Sequence, residues 1–579
     1  MLSFLRKAPF YTFLLFSIRR SRGIGLKLRV IVGVTIFFVL VVGAISLLLF
    51  GPAFLSAAGS GNGNTSPALS GSTANTPIAS APHNVIAIEN AQPGTTSWII
   101  PGRKAATTQI QAYADVTSVQ PGQNLTFYVS TQIQGIHYSI DIYRLGWYGG
   151  DGARLIASTT DLIGHAQGYY DPVNHRLVNC STCYVNKNLG LVEANWHPSY
   201  TLTVPSNWTT GVYLAKFTDA NAMQTYATFD VKGNFLSTYV AVTPNTTDEA
   251  YNTWGGYSLY EADGSGNASA SEQNSTIKAV KVSFDRPYSQ ATGSGNVLLY
   301  EINAIRWMER QGYNLSYISS VDLHENPSLL LKHKAYLSLG HDEYWTKEMR
   351  DGVENARDHG VSLAFFGADA AYWQMRFEPD SAGVPDRTVV CYKVGTGSLS
   401  LALDPFYGRD NTRVTAEWRD PILDRPENAL IGIMFSDLTH VRQGFPWEVD
   451  TLSKSPLLNG TELLSGQQYG CDIVGYEWDR IYNNGATPQG LQVLGTTPTQ
   501  RSDAASGALT PDISNTTYYI APSGAMVFAT GSIYWTIALD SYRYQVDNLC
   551  ANQSPVTPGI QKLMANVMVA LVNPHSFKG

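Results

Sequence analysis

Residues Gly340-His341-Asp342-Glu343-Tyr344-Trp345 crowd a histidine, two carboxylates, a phenol and an indole into one turn, directly after the apolar run AYLSL (335–339). Glutamate and phenolate oxygens are hard donors, and phenolate suits ferric iron in particular. An ion held by such donors is a Lewis acid. A histidine beside it can carry a proton near neutral pH. Further donors of the same chemistry stand in three other clusters: Tyr251, Tyr257 and Tyr260 in YNTWGGYSLY (251–260), Tyr288 in FDRPY (284–288), and Asp369 in GAD (367–369). Taken singly, each has an ordinary explanation, since a tyrosine usually packs and a turn carboxylate usually caps a helix. Their joint placement is what points to a site.

Other chemistries lack their motifs. There is no G-x-S-x-G elbow followed by a suitable histidine, no GxxxxGK[ST] loop and no HExxH. Cys180-Ser-Thr-Cys183 invites a zinc or redox reading, but no second CxxC exists to complete a zinc site. A local disulfide or two inert thiols is the expectation, and the odd total of five cysteines leaves at least one outside any internal pair.

The elements that must position these residues follow from hydrophobic periodicity. FLSTYVAVT (235–243), LSYISS (315–320), AYLSL, VSLAFF (361–366) and AMVFAT (525–530) read as strands. Between and after them, 296–313 places Leu298, Leu299, Ile302, Ile305 and Met308 on one helical face, TKEMRDGVENARDHG (346–360) reads as a helix ending at Gly360, and 557–572 as a closing amphipathic helix. Alternating strands and helices predict an α/β domain with a parallel sheet covered by helices, over 236–579. In such a sheet ligands bind beyond the carboxyl ends of the strands, where both the 340 and the 367 turns fall. Residues 85–235 instead alternate at period two, as in NLTFYVST (124–131) and YSIDIYRLGWY (138–148), which predicts an all-β sandwich. The stretch 375–500 has few helical runs and reads as an extension over the sheet.

At 579 residues the chain exceeds one domain, and with 44% apolar residues against 15% charged it can bury large cores. Seven of its 39 basic residues fall in 1–29, which has no acidic residue, so the remainder carries 32 basic against 46 acidic residues. That balance gives no support for a nucleic-acid partner. Residues 30–50 form a 21-residue run without a charge, which as a helix would span a bilayer. With the basic segment 1–29 held in the cytoplasm, the expectation is an N-terminal transmembrane helix: a single-pass membrane protein whose C-terminal domains are extracytoplasmic. A signal peptide cleaved near Ser56-Ala57-Ala58 is the competing reading, although the run is longer than a signal's apolar core. Residues 51–84, rich in Ser, Gly, Thr, Asn, Ala and Pro, read as a flexible linker.

YNTWGGYSLY, VSFDRPY, GHDEYW, FFGADAAYWQMRFE and the stretch 391–421 resemble the large (β) subunit of N,N-dimethylformamidase and its relatives, in the same order along the chain. The resemblance implies a β-sandwich followed by an α/β domain similar to class I glutamine amidotransferases. It further implies a mononuclear ferric iron held by two tyrosines and one glutamate, and hydrolysis of a small amide. Carried over, Glu343 is the carboxylate ligand, since His341 two positions before it is retained. Tyr288 and Tyr251 are the tyrosines, with Tyr257 and Tyr260 as rivals of Tyr251. His341 stands behind the metal or handles protons. Asp369 falls where the family implies an asparagine; an amide donates a hydrogen bond to a substrate oxygen and an ionised carboxylate does not. The family's enzyme is a soluble cytoplasmic protein with a small partner subunit, whereas this chain reads as tethered.

The expected function is therefore a membrane-anchored, extracytoplasmic, metal-dependent hydrolase of an amide C–N bond, with an oligomer compatible. The alternative is a non-catalytic cell-surface protein that binds a glycan or protein partner on the retained fold. A third reading, hydrolysis of a surface glycan through paired carboxylates among Asp342, Glu343 and Asp369, needs those groups to face one another.

Overall fold

Strand residues 124–131 and 137–145 send alternate side chains to opposite faces, and the structure uses both faces. The computed structural model describes residues 84–233, 236–260, 278–396, 399–439, 444–502, 508–544, 550 and 553–574. All of them belong to one unit, Thr76–Gly579.

In the N-terminal half, Ile110–Ala114, Asn124–Thr131 and Tyr200–Thr203 form a three-stranded antiparallel sheet. A five-stranded sheet runs in the order Ser118–Val119, Gln224–Val231, Gly211–Asp219, His137–Leu145, Ala153–Ile163. Leu125, Phe127 and Val129 of the first meet Ile140, Ile142, Phe217 and Phe229 of the second in one core. The second sheet's other face is buried too: Tyr143, Leu145, Val212 and Leu214 join the core of the following α/β layer. Arg144 of this sheet is fully buried and forks onto both oxygens of Glu309, at 2.8 Å each. Tyr317 and Asn90 donate to the same carboxylate.

The central sheet has seven strands: β1 Tyr239–Thr243, β2 Leu315–Ser319, β3 Ala335–Ser338, β4 Ser362–Phe365, β5 Gln492–Ser502, β6 Leu509–Ile520 and β7 Met526–Ala529, in the spatial order β2-β1-β3-β4-β7-β6-β5. Strands β2, β1, β3, β4 and β7 are parallel, while β6 and β5 close the edge as an antiparallel hairpin. Four helices bear on the argument: α1 Asn245–Tyr251, α2 Ile302–Arg310, α3 Lys347–Asp358 and α4 Pro558–Val572. Ala241, Leu337, Ala364 and Phe528 pack under α2 and α4 on one face. Val240, Val242, Leu363 and Val527 pack against Met349, Val353 and Ala356 of α3 on the other. A parallel strand buried on both faces must be apolar at every position, which is why these strands read as continuous apolar runs.

Two features differ from the sequence reading. The helix expected over 296–313 begins as a π-helical turn, Val297–Glu301, before α2. The membrane anchor is the second. Among the described residues no helix is long and apolar enough to cross a membrane. The longest, α4, has 15 residues and a reach of about 22 Å, short of a bilayer's ~30 Å, and its apolar face is spent on the sheet. The expected N-terminal transmembrane helix (30–50) and basic segment (1–29) lie outside the described residues, as does the linker apart from Asn84. The single-pass placement, with its membrane and extracytoplasmic assignments, is accordingly withdrawn.

Cys180 pairs with Cys183 and Cys471 with Cys550, leaving Cys391 a buried thiol. Besides most of β5, the 375–500 stretch contributes short strands, of which Glu477–Arg480, paired antiparallel with Met434–Leu438, bears on the site.

Candidate metal and acid–base site

The 340 turn leaves the end of β3 and the 367 turn the end of β4, so neighbouring parallel strands deliver both to the same edge. Gly340 has φ +58°, and a Cβ there would sit 2.8 Å from Cγ of Glu301. A Cβ on Gly367 would lie 2.0 Å from the Gly340 carbonyl oxygen. Only glycines let the two turns approach this closely. Main-chain bonds then clamp them: Ala371 N–H donates to the Asp342 carbonyl at 2.8 Å, and Tyr372 N–H to that of Glu343 at 2.9 Å. From β1, helix α1 adds a second clamp, since the Thr247 hydroxyl accepts from the N–H groups of Glu343 and Tyr344 at 3.0 and 3.2 Å. Beyond the turn, Thr346 caps α3 by accepting from Met349 N–H at 3.1 Å. The turn is thus held by the sheet, by α1 and by α3.

Within this frame the two carboxylates of the turn separate. Asp342 faces inward, accepting from Ser338 at 2.7 Å and from the Trp345 indole at 2.8 Å. Burial raises its pKa to about 6. Glu343 points the other way, into a cluster of tyrosines. Tyr251 donates to its Oε2 and Tyr260 to its Oε1, both at 2.6 Å. The two rings stack with centroids 4.3 Å apart. Tyr344 donates to the Tyr260 oxygen at 2.6 Å. The Lys393 ammonium lies 3.3 Å from the centroid of the Tyr260 ring.

A second set of groups stands behind Glu343. Nε2 of His341 is 3.3 Å from Glu343 Oε2, 3.4 Å from Glu477 Oε2 and 3.9 Å from Asp369 Oδ2. Asp369 has φ +54°, a left-handed conformation that Asp tolerates better than most residues, and its N–H donates to Asp479 at 2.8 Å. Tyr300 and Tyr476 flank the group, with the Tyr300 ring 6.3 Å from that of His341. Of these residues, Tyr251, Tyr260, Tyr300 and Tyr476 keep some surface while the ionisable groups behind them are buried.

Electrostatics follow from acids outnumbering bases in a dry place. Burial raises the pKa of Glu343, but His341, Lys393 and the Tyr251 hydroxyl outweigh it and hold the carboxyl below its ordinary range. Burial opposes charging His341, but Glu477 and Glu343 outweigh it and raise that pKa. Burial, reinforced by Glu343 and Asp479, raises Asp369 well above the carboxylate range. Burial, with Asp369 and Glu343 adding to it, does the same to Glu477. Both shifts disfavour the charged form of these two acids, and a carboxyl that keeps its proton has, like an amide, a hydrogen to give. Burial and the Glu343 charge also raise both phenols far above their ordinary value.

The structure brings Tyr251, Tyr260, Glu343, His341 and Asp369 together. Tyr288 makes no hydrogen bond to Glu343; it lines a small cavity with Tyr113, Arg286 and Arg387, close to the charges of Asp248 and Glu249. Tyr257 contributes its carbonyl, which accepts from Arg286 at 2.9 Å. Sequence reasoning missed Glu477, Asp479 and Lys393. A signal for the first two lies in GYEWDR (475–480), where Glu477 and Asp479 share one face of a short strand. The donor set of two phenols and one carboxylate fits a hard trivalent ion such as iron. The two phenolic protons that now join the two phenol oxygens to the two oxygens of Glu343 are what such a cation would replace.

A sequence model of a family described as "N,N-dimethylformamidase beta subunit-like, C-terminal" matches residues 139–551. No curated protein matches the chain. Among solved structures, a cycloisomaltooligosaccharide glucanotransferase from Paenibacillus sp., complexed with cycloisomaltoheptaose, aligns at 11% identity with a TM-score of 0.14, over 48% of this chain and 33% of its own. The chain thus spans about a third of that protein's length, and a score so low carries no statement about fold or ligand.

Proposed function

The chain belongs to the N,N-dimethylformamidase β-subunit-like family, and from that premise we propose that it hydrolyses the C–N bond of a small amide, with Tyr251, Tyr260 and Glu343 as the residues that would hold iron. The observation that carries this reading is the convergence of two phenols on the two oxygens of one buried carboxylate. Bound there, iron would supply Lewis acidity. Tyr260 takes the place that sequence alone gave to Tyr288, because Tyr260 meets Glu343 directly.

The rest of the chemistry is assigned to this chain's own side chains. Glu343 orients both phenols. Asp369 and Glu477, whose charged forms burial disfavours, would offer hydrogens to a carbonyl oxygen when protonated. His341, whose pKa Glu477 and Glu343 raise against burial, is placed to give a proton to a departing amine and to recover one from water. The tyrosines at the margin exclude bulk solvent from these groups and favour a substrate with small apolar N-substituents. The test is amine release from a series of simple N-alkyl amides by the purified protein, beside Glu343→Ala and His341→Ala. The reading expects turnover by the wild type alone or nearly so. Turnover that survives both substitutions unchanged rules it out.

A further inference from the structure

Behind Glu343, His341, Asp369 and Glu477 each offer one ligand atom, and all three atoms lie within 4.8 Å of one another. The residues come from three chain segments: the turn after β3, the turn after β4, and the strand Glu477–Arg480. Their relative exposures are 1%, 4% and 5%, so water does not solvate them. Even so, Nε2 of His341, Oδ1 of Asp369 and Oε2 of Glu477 have no hydrogen-bond partner. Buried polar atoms are nearly always paired, and His341 Nε2 and Glu477 Oε2, 3.4 Å apart without a hydrogen bond between them, with an unpaired Oδ1 on the adjoining Asp369 carboxyl, call for a missing partner. A further proton serves only one of them at a time. A cation serves all three.

We propose that His341, Asp369 and Glu477 form a second cation site, adjacent to the Tyr251–Tyr260–Glu343 cluster, that takes a divalent transition ion of the zinc type. One imidazole nitrogen with two carboxylate oxygens is a borderline donor set, suited to zinc or its neighbours rather than to magnesium or calcium, which take oxygen ligands alone. Tetrahedral ligands at about 2.1 Å stand roughly 3.4 Å apart. His341 Nε2 to Glu477 Oε2 already has that spacing, at 3.4 Å, and the contact to Asp369 at 3.9 Å needs only a carboxylate rotation. Asp369 is what makes the set: an asparagine here would leave one histidine and one carboxylate. Glu343 Oε2, 3.3 Å from Nε2, is near enough to serve as a fourth ligand. With the ion seated, Nε2 of His341 is no longer available for a proton, so zinc inhibits any reaction that uses it. The site requires no iron, but its three ligands are the side chains to which the amidase reading gives the proton handling, so the two compete for them.

The experiment is zinc titration of the chelator-stripped full chain by calorimetry, with cobalt(II) absorption as a second probe, and iron determined on the same preparations before stripping. The expected result is one zinc equivalent in the wild type, bound at least tenfold more weakly by Asp369→Asn and by Glu477→Gln, and retained by Tyr251→Phe. Asp369→Asn is close to isosteric, so it decides the matter where Glu477→Gln fails to fold. No zinc uptake by the wild type, or uptake that neither variant weakens, overturns the proposal. Iron without zinc defeats this proposal alone, and zinc without iron defeats only the iron reading.

Discussion

The two phenols on Glu343 are chemically alike, yet the structure makes them unequal, and that inequality can be measured. In metal-stripped protein, Tyr251→Phe removes one charge-assisted bond to Oε2, made at 2.6 Å. Such a bond contributes about 1.5–3 kcal/mol. His341 remains 3.3 Å from the same oxygen and limits the loss. Tyr260→Phe removes the equivalent bond to Oε1 and also takes away the acceptor of the Tyr344 hydroxyl, again at 2.6 Å. A buried donor left unpaired costs a further ~1–3 kcal/mol. The ring on which Lys393 rests is kept. Tyr260→Phe should therefore destabilise by roughly 3–5 kcal/mol, clearly more than Tyr251→Phe. Denaturant unfolding of the stripped variants, at unchanged m-value, reads the difference. In a Glu343→Gln background the cost of Tyr251→Phe should shrink, because the charge that strengthens its bond is gone. Equal costs for the two tyrosines, or two neutral substitutions, would refute the reasoning.

Further outcomes follow from other parts of the molecule. Arg144→Ala should cost about 3–5 kcal/mol in chemical unfolding, because Glu309 is left charged and buried, and Glu309→Gln added to it should recover part of that loss. Burial raises the Asp230 pKa to about 8, above the ~4 of an unfolded chain. The native state therefore binds a proton the unfolded chain has lost, so this group's contribution is complete below about pH 4 and is lost as pH rises to about 8. The stability of Asp230→Asn relative to the wild type should rise across that window, and a flat difference would contradict the assignment. Removing the Cys471–Cys550 disulfide, which joins residues 79 apart, should cost up to roughly 4 kcal/mol by loop closure, against about 2 kcal/mol for Cys180–Cys183; melting of the two double Ser variants compares them.

How far the sequence spoke depended on whether a feature was local. Strands such as Ala335–Ser338 and Ser362–Phe365 were legible because burial on both faces makes them uniformly apolar. The helix after Trp345 was legible from its composition and its stop at Gly360. The π-turn at Val297–Glu301 was not, since its apolar spacing continues that of α2 without a break. Glu343 and His341 stood out because the chemistry lies within one turn. The hydrogen bond from Tyr260 did not, because it reaches Glu343 across 83 residues, along a folded path that no local motif records. Glu477 arrives from a stretch that reads as irregular extension, and its weight comes from position beside His341 rather than from a motif. The upward pKa shift of Asp369 was not legible for the same reason: it comes from burial and from Glu343 and Asp479, none of which the local sequence GAD contains.

The central claim is that Glu343 and two tyrosines make a binding site for iron, and one determination tests it most directly: iron per chain, with the visible absorption of iron phenolate, in purified wild type beside Glu343→Ala. The account predicts close to one iron per chain and a coloured wild type, with both lost in the variant. Equal, near-zero iron in the two proteins, or iron retained in full by Glu343→Ala, would contradict it.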